Sequence, residues 1–83
     1  MKNITSIKDL KYYIYKYYYE PHNTIYIITI IEHPDGYAEA WTHHRDYGQS
    51  NHVVGIMKQQ CPKDKKYIDV LINAAIEYIE TEA

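Results

Sequence analysis

Thr24-Ile25-Tyr26-Ile27-Ile28-Thr29-Ile30-Ile31 runs through Glu32 into His33-Pro34-Asp35-Gly36, and this stretch decides the fold. Eight consecutive β-branched or aromatic residues make a strand. In the turn that follows, Pro34 suits the first central position of a type I turn and Asp35 the second. Gly36 suits the left-handed position after them. Tyr37 to Arg45 then returns as the next strand. A three-residue loop pairs His33 with Tyr37, and the register follows two residues at a time. One face of the hairpin therefore carries Tyr26, Ile28, Ile30 and Glu32 beside Ala38, Ala40, Thr42 and His44. The small Ala side chains suit close packing of helices, so this face is assigned to the core. The other face carries Ile25, Ile27, Thr29 and Ile31 beside Tyr37, Glu39, Trp41, His43 and Arg45.

Upstream of the hairpin, Thr5-Ser6 precede a helical pattern, with Asp9 three residues after Ser6 in an approximate capping box. Leu10, Tyr13, Ile14, Tyr17 and Tyr18 recur at spacings of three and four. They predict a helix over 6–19, ended by Pro21. Tyr is a mediocre helix former and a good strand former, so the same residues also suit a strand over 12–19. Downstream, Asp46 to Asn51 is a polar loop. His52 to Met57 reads as a third strand, weakened by Gly55. Cys61-Pro62-Lys63-Asp64 opens a final helix, with Ile68, Leu71, Ile72, Ala75, Ile76 and Ile79 as its buried stripe. Asp69, Asn73, Glu77 and Glu80 lie on its wet side. The expectation is a single α+β domain over residues 1–83, in the order α-β-β-β-α. Three antiparallel strands carry two helices on one face.

The 46% hydrophobic content overstates the core, because the chain holds 11 Tyr among its 83 residues. A chain this short buries only about 60% of its unfolded surface, so it calls for a supplement: a disulfide, a metal or a partner chain. The single cysteine, Cys61, excludes an internal disulfide and fits a reducing, cytoplasmic location. No apolar run approaches the roughly 18 residues of a membrane span, and the N-terminus lacks the apolar segment of a secretory signal. A net charge of −2 argues against phosphate-driven nucleic-acid binding. The excess of Ile, Lys and Tyr with a single Arg fits AT-rich coding, as in a low-GC bacterium or its phage.

The second hairpin face is the informative one. Solvent-facing strands do not ordinarily spend three Ile and the only Trp. Leaving several hundred Å² of such surface wet forgoes several kcal/mol, at about 25 cal/mol per Å². That is comparable to the whole stability of a small domain. With two helices on one face, a second chain is expected over the other. Ile27, Tyr37, Trp41, His43 and Arg45 are its expected contacts, with Trp41 as anchor.

Chemistry has fewer supports. His44, Asp46 and His52 converge on a metal only if the third strand lies beside the second, and no ligand-pair spacing backs them. His43 and His44 are consecutive on a strand and point to opposite faces. His33 stands at the far end of the ladder from that cluster. Cys61 before Pro62, among Lys63, Lys65 and Lys66, lies where a thiol is acidified, but its ordinary role is structural. Glycine-rich phosphate loops and paired carboxylates are absent from the sequence. Tyr12, Tyr13, Tyr15, Tyr17, Tyr18 and Tyr19 with Lys8, Lys11 and Lys16 could stack on a single nucleic-acid strand, although exposed tyrosines equally suit protein contact. The sequence thus predicts a non-enzymatic interaction protein without a cofactor, a homodimeric regulator or inhibitor joined through its sheet. A small hydrolase or metal-binding protein using His44, Asp46 and His52 is the rival, and a single-strand nucleic-acid binder is third.

Overall fold

A computed structural model describes residues 9–46 and 48–82. Four antiparallel strands form one sheet in the order β1-β2-β3-β4: β1 (Lys11–Tyr19), β2 (Thr24–Glu32), β3 (Tyr37–His44) and β4 (Asn51–Met57). One helix, α1 (Tyr67–Glu82), follows. The expected order α-β-β-β-α is therefore wrong. The segment predicted as the first helix is β1, the sheet has four strands rather than three, and a single helix covers one face. The proposed cap at Thr5-Ser6 lies outside the described residues.

Two local features explain why residues 11–19 extend the sheet. Almost every position there is Tyr or Ile, so a three-and-four spacing is met by any pairing of positions and does not distinguish a helix. The link to β2 is also a hairpin turn. Glu20–His22 make a single 3-10 turn with Pro21 at its start, and Asn23 sits left-handed at φ 47°. Asn tolerates that conformation better than most residues, and its N–H closes the turn on the Glu20 carbonyl at 2.9 Å. Tyr13, Tyr15, Tyr17 and Tyr19 then pair with Ile30, Ile28, Tyr26 and Thr24, toward the helix side. Tyr12, Ile14, Lys16 and Tyr18 pair with Ile31, Thr29, Ile27 and Ile25 on the other side. This strand alternation replaces the helical pattern of Leu10, Tyr13, Ile14, Tyr17 and Tyr18: Tyr13 and Tyr17 share the helix side, while Ile14 and Tyr18 lie on the other.

The β2–β3 register matches the one read from the turn. Ile30 opposes Ala40, Ile28 opposes Thr42, and His33 donates to the Tyr37 carbonyl at 2.8 Å. Gly36 is left-handed, at φ 97°. On the helix side, Ile28, Ile30, Ala38 and Ala40 meet Leu71, Ala75 and Ile79, all of them buried. The two Ala let α1 approach the sheet. The helix starts at Tyr67, later than the expected opening at Cys61–Asp64, and residues 61–66 form turns ahead of it. Glu32 is buried on this same side and accepts from Lys58 Nζ at 2.6 Å and from the Tyr67 hydroxyl. Those bonds tie the end of β2 to the start of α1. They hold the Glu32 carboxyl below its ordinary pKa and push the Tyr67 phenol up, burial being the larger cause for the phenol. Along its shortest axis the molecule measures 17 Å, the depth of one sheet and one helix layer.

Candidate functional site

The face of the sheet away from α1 has no covering element among the described residues. Its residues fall in rows across the strands. Tyr12, Ile31, Glu39 and Gly55 form one, Ile14, Thr29, Trp41 and His52 the next, then Lys16, Ile27 and His43. Tyr18, Ile25 and Arg45 close the far end, where the Arg45 amide donates to the Ile25 carbonyl at 3.0 Å. Ile27, Tyr37, Trp41, His43 and Arg45 thus share one surface. Tyr12, Ile14, Tyr18, Glu39 and His52 join it, and the expected contact set did not include them.

A polar network is set into this apolar face around Glu39. One carboxylate oxygen lies 2.5 Å from His33 Nε2. The other accepts the Trp41 indole N–H at 2.8 Å and stands 3.6 Å from His52 Nε2. The Trp41 and His52 rings meet edge to face at 5.2 Å. Burial would raise the Glu39 pKa, but the bonds from His33 and Trp41, with His52 nearby, outweigh it and hold the carboxyl below its usual value. His33, expected to stand apart, is therefore linked to His52 through Glu39. Only the Glu39–Trp41 part of this network had a sequence signal, since the two are two apart on one strand and so share a face.

Two backbone features shape this surface. Ala40 pairs with Val54 and Trp41 with His52, so Val53 is an extra residue in β4. Such a bulge re-aims the side chains beyond it. Val53 packs against the core cluster, and His52 turns to the open face beside Trp41. At Gly55, a Cβ would stand 1.9 Å from the Tyr37 hydroxyl oxygen. The Tyr37 ring therefore lies across β4 over Gly55, and only glycine leaves room for it.

The rival metal set does not assemble. His44 is on the helix side, with Nε2 2.9 Å from Thr24 Oγ1 and its ring 5.5 Å from Tyr26, whereas His52 is on the open face. Asp46 accepts from Arg45 Nε at 3.1 Å. No group of three or more His, Cys, Asp or Glu among the described residues is placed to hold a metal. The Cys61 thiol donates to the Lys65 carbonyl in the turn before α1. Grooves of about 600 and 640 Å³ lie along residues 58–68 and 64–77, and no residue of β2 or β3 lines either of them. No helix among the described residues is long and apolar enough to cross a membrane. Comparison of the chain with family models, with curated proteins and with solved structures found no match.

Proposed function

We propose that this chain is a non-enzymatic interaction module that works as a homodimer, the open faces of two sheets packed together. One observation carries the reading. A single helix shelters one side of a four-stranded sheet, and the other side presents Ile25, Ile27, Ile31, Tyr37 and Trp41 with nothing over them among the described residues. The size is suitable. Four strands about 4.8 Å apart and some eight residues long span about 19 by 27 Å, roughly 500 Å² in projection and more with side-chain relief. A specific dimer buries roughly 600–1,000 Å² per partner.

The occupant argued for is a second copy, on grounds of charge. Glu39, held by His33 and Trp41, stands toward the hairpin end, and the cations Lys16 and Arg45 stand toward the other. A two-fold axis in the sheet plane, running across the strands, lays each end over the opposite one. A small regulator or inhibitor acting in a reducing cytoplasm is the role this suits, given the lone cysteine and the flat surface.

Sedimentation velocity with acrylamide quenching of Trp41 tests the proposal. The expected result is concentration-dependent association with a shielded indole; Ile27→Lys is expected to lose the shielding and the face-to-face step of that association. A monomer at every concentration, with Trp41 equally quenched in wild type and variant, overturns it. A zinc-loaded monomer would support the metal-binding rival instead.

A further inference from the structure

The outer edge of β1 carries a second contact. Its hydrogen-bonding phase can be followed across the sheet. His33 donates to Tyr37 and Arg45 donates to Ile25, so the odd-numbered residues of β2 turn their peptide groups toward β3. The even-numbered ones face β1, where they meet Tyr13, Tyr15, Tyr17 and Tyr19. The N–H and C=O groups of Tyr12, Ile14, Lys16 and Tyr18 therefore point away from the sheet. No strand among the described residues pairs with them. The exposed large hydrophobic side chains cluster here too: Tyr12 at 47%, Ile14 at 66%, Tyr15 at 36% and Tyr18 at 53%. At roughly 200 Å² for a whole side chain of this kind, these four leave about 400 Å² of apolar surface in water. The opposite edge, β4, is broken by its bulge and by Gly55, while β1 runs nine residues with neither proline nor glycine.

We infer that β1 pairs antiparallel with β1 of a second copy, with Tyr12 opposite the partner's Tyr18, Ile14 opposite the partner's Lys16, and Tyr15 opposite itself. Outward-pointing residues must meet outward-pointing residues, which restricts the register to steps of two. Sliding one step in one direction sets Lys16 against its own copy, a like-charge pair. Sliding in the other direction leaves Tyr18 without a partner. The central register uses the full strand and forms about eight main-chain hydrogen bonds. It also sets Lys11 across from Tyr19, next to the acidic Glu20 of the other copy.

This contact rests on the face-to-face dimer for its consequence. The edge two-fold runs perpendicular to the sheet, and the face two-fold lies within its plane. The face axis, midway between the Glu39 row at Tyr12 and the Arg45 row at Tyr18, runs at the level of Tyr15, where the edge axis also lies. Perpendicular two-folds that intersect close into a tetramer of D2 symmetry, so the two contacts yield two eight-stranded sheets packed together and not a filament.

Ile14→Pro is the informative variant. The amide it removes points outward, so the β1–β2 ladder survives, and proline is tolerated on an edge. Ile14→Ala, which trims the same side chain from the open face and keeps the amide, is its control and is expected to sediment as four chains. The wild type is expected to sediment as four chains, Ile14→Pro and Ile27→Lys each as two, and the double variant as one. Oxidative cross-linking in a Cys61→Ser background reads the register independently. Tyr15→Cys sits on the two-fold, in a pair about 4.5 Å apart, within disulfide reach. Tyr13→Cys lies about 13 Å along the strand from its copy and is out of reach. Cross-linking of Tyr15→Cys is expected at least tenfold faster than that of Tyr13→Cys. A wild-type dimer abolished by Ile27→Lys and untouched by Ile14→Pro overturns the edge contact and keeps the face. A dimer abolished by Ile14→Pro and untouched by Ile27→Lys keeps the edge and overturns the face. A wild-type monomer overturns both. Equal cross-linking at residues 13 and 15 overturns the register.

Discussion

Adding one methyl group at Gly55 tests how the open face is built. Gly55 has no left-handed backbone to protect, so Ala is conformationally acceptable there. Alone, the change should stabilise the strand by about 0.5–1 kcal/mol, since glycine loses more freedom on folding. The Tyr37 ring reverses that sign. The new Cβ would stand 1.9 Å from its hydroxyl oxygen, 2.5 Å from Cζ and 2.8 Å from Cε1, so the ring must swing off β4. A ring lifted from one flat contact gives up roughly 50–100 Å², which is about 1–2.5 kcal/mol at 25 cal/mol per Å². Gly55→Ala should therefore destabilise the wild type by up to about 2 kcal/mol. In a Tyr37→Ala background it should stabilise by about 0.5–1 kcal/mol, and the cycle should show a coupling of about 1–2.5 kcal/mol. Urea unfolding at one fixed protein concentration, followed by far-UV circular dichroism and Trp41 fluorescence, measures all four corners of the cycle. If Gly55→Ala shifts stability equally in both backgrounds, Tyr37 does not lie over Gly55 and the surface described above is wrong.

Other expectations are simpler. Glu32 has its pKa lowered by Lys58 and Tyr67, so its contribution is present above its unfolded value near 4.5 and is lost as pH falls through the lower folded value. The urea midpoint should drop below pH 4.5 in the wild type, and that part of the drop should vanish in Glu32→Gln. Asn23→Ala should cost about 1 kcal/mol because φ is 47° there, and Asn23→Gly should cost less; thermal unfolding separates the two. Leu71→Ala, at a fully buried side chain over the sheet, should cost about 2–5 kcal/mol in chemical denaturation. Glu39→Gln replaces the charged acceptor of the Trp41 indole N–H by a neutral amide and leaves His33 and His52 without their carboxylate, so the Trp41 fluorescence maximum should shift relative to wild type.

The central hairpin was legible in the sequence because its turn chemistry is specific. Pro34-Asp35-Gly36 admits one loop length, and the loop length fixes every pair from His33–Tyr37 to Tyr26–His44. The assignment of α1 followed from a strong stripe, since Leu71, Ala75 and Ile79 recur every fourth residue while Asp69, Asn73, Glu77 and Glu80 fall on the other side. The first element was misread because Tyr12 to Tyr19 offers no polar contrast. Periodicity needs two kinds of residue, and there Lys16 alone interrupts the aromatic and aliphatic run. The bulge at Val53 carries no sequence mark, so the meeting of His52 with Glu39 was beyond reach from the sequence.

Reading residues 11–19 as a strand makes the case for partners stronger. A first helix would have been a possible cover for the sheet. As β1 the same residues cover nothing on the open side and add Tyr12, Ile14 and Tyr18 to what needs covering. They also expose a new edge of main-chain donors and acceptors, which natural sheets seldom leave long and unbroken. Lys16 is the only charge among the outward-pointing residues 12, 14, 16 and 18, and in the central antiparallel register it falls opposite Ile14, where it opposes pairing least. An edge kept solitary by selection would place like charges at the positions that oppose each other. Here the lysine sits one residue off the centre of the strand, so two copies can meet without bringing their ammonium groups together.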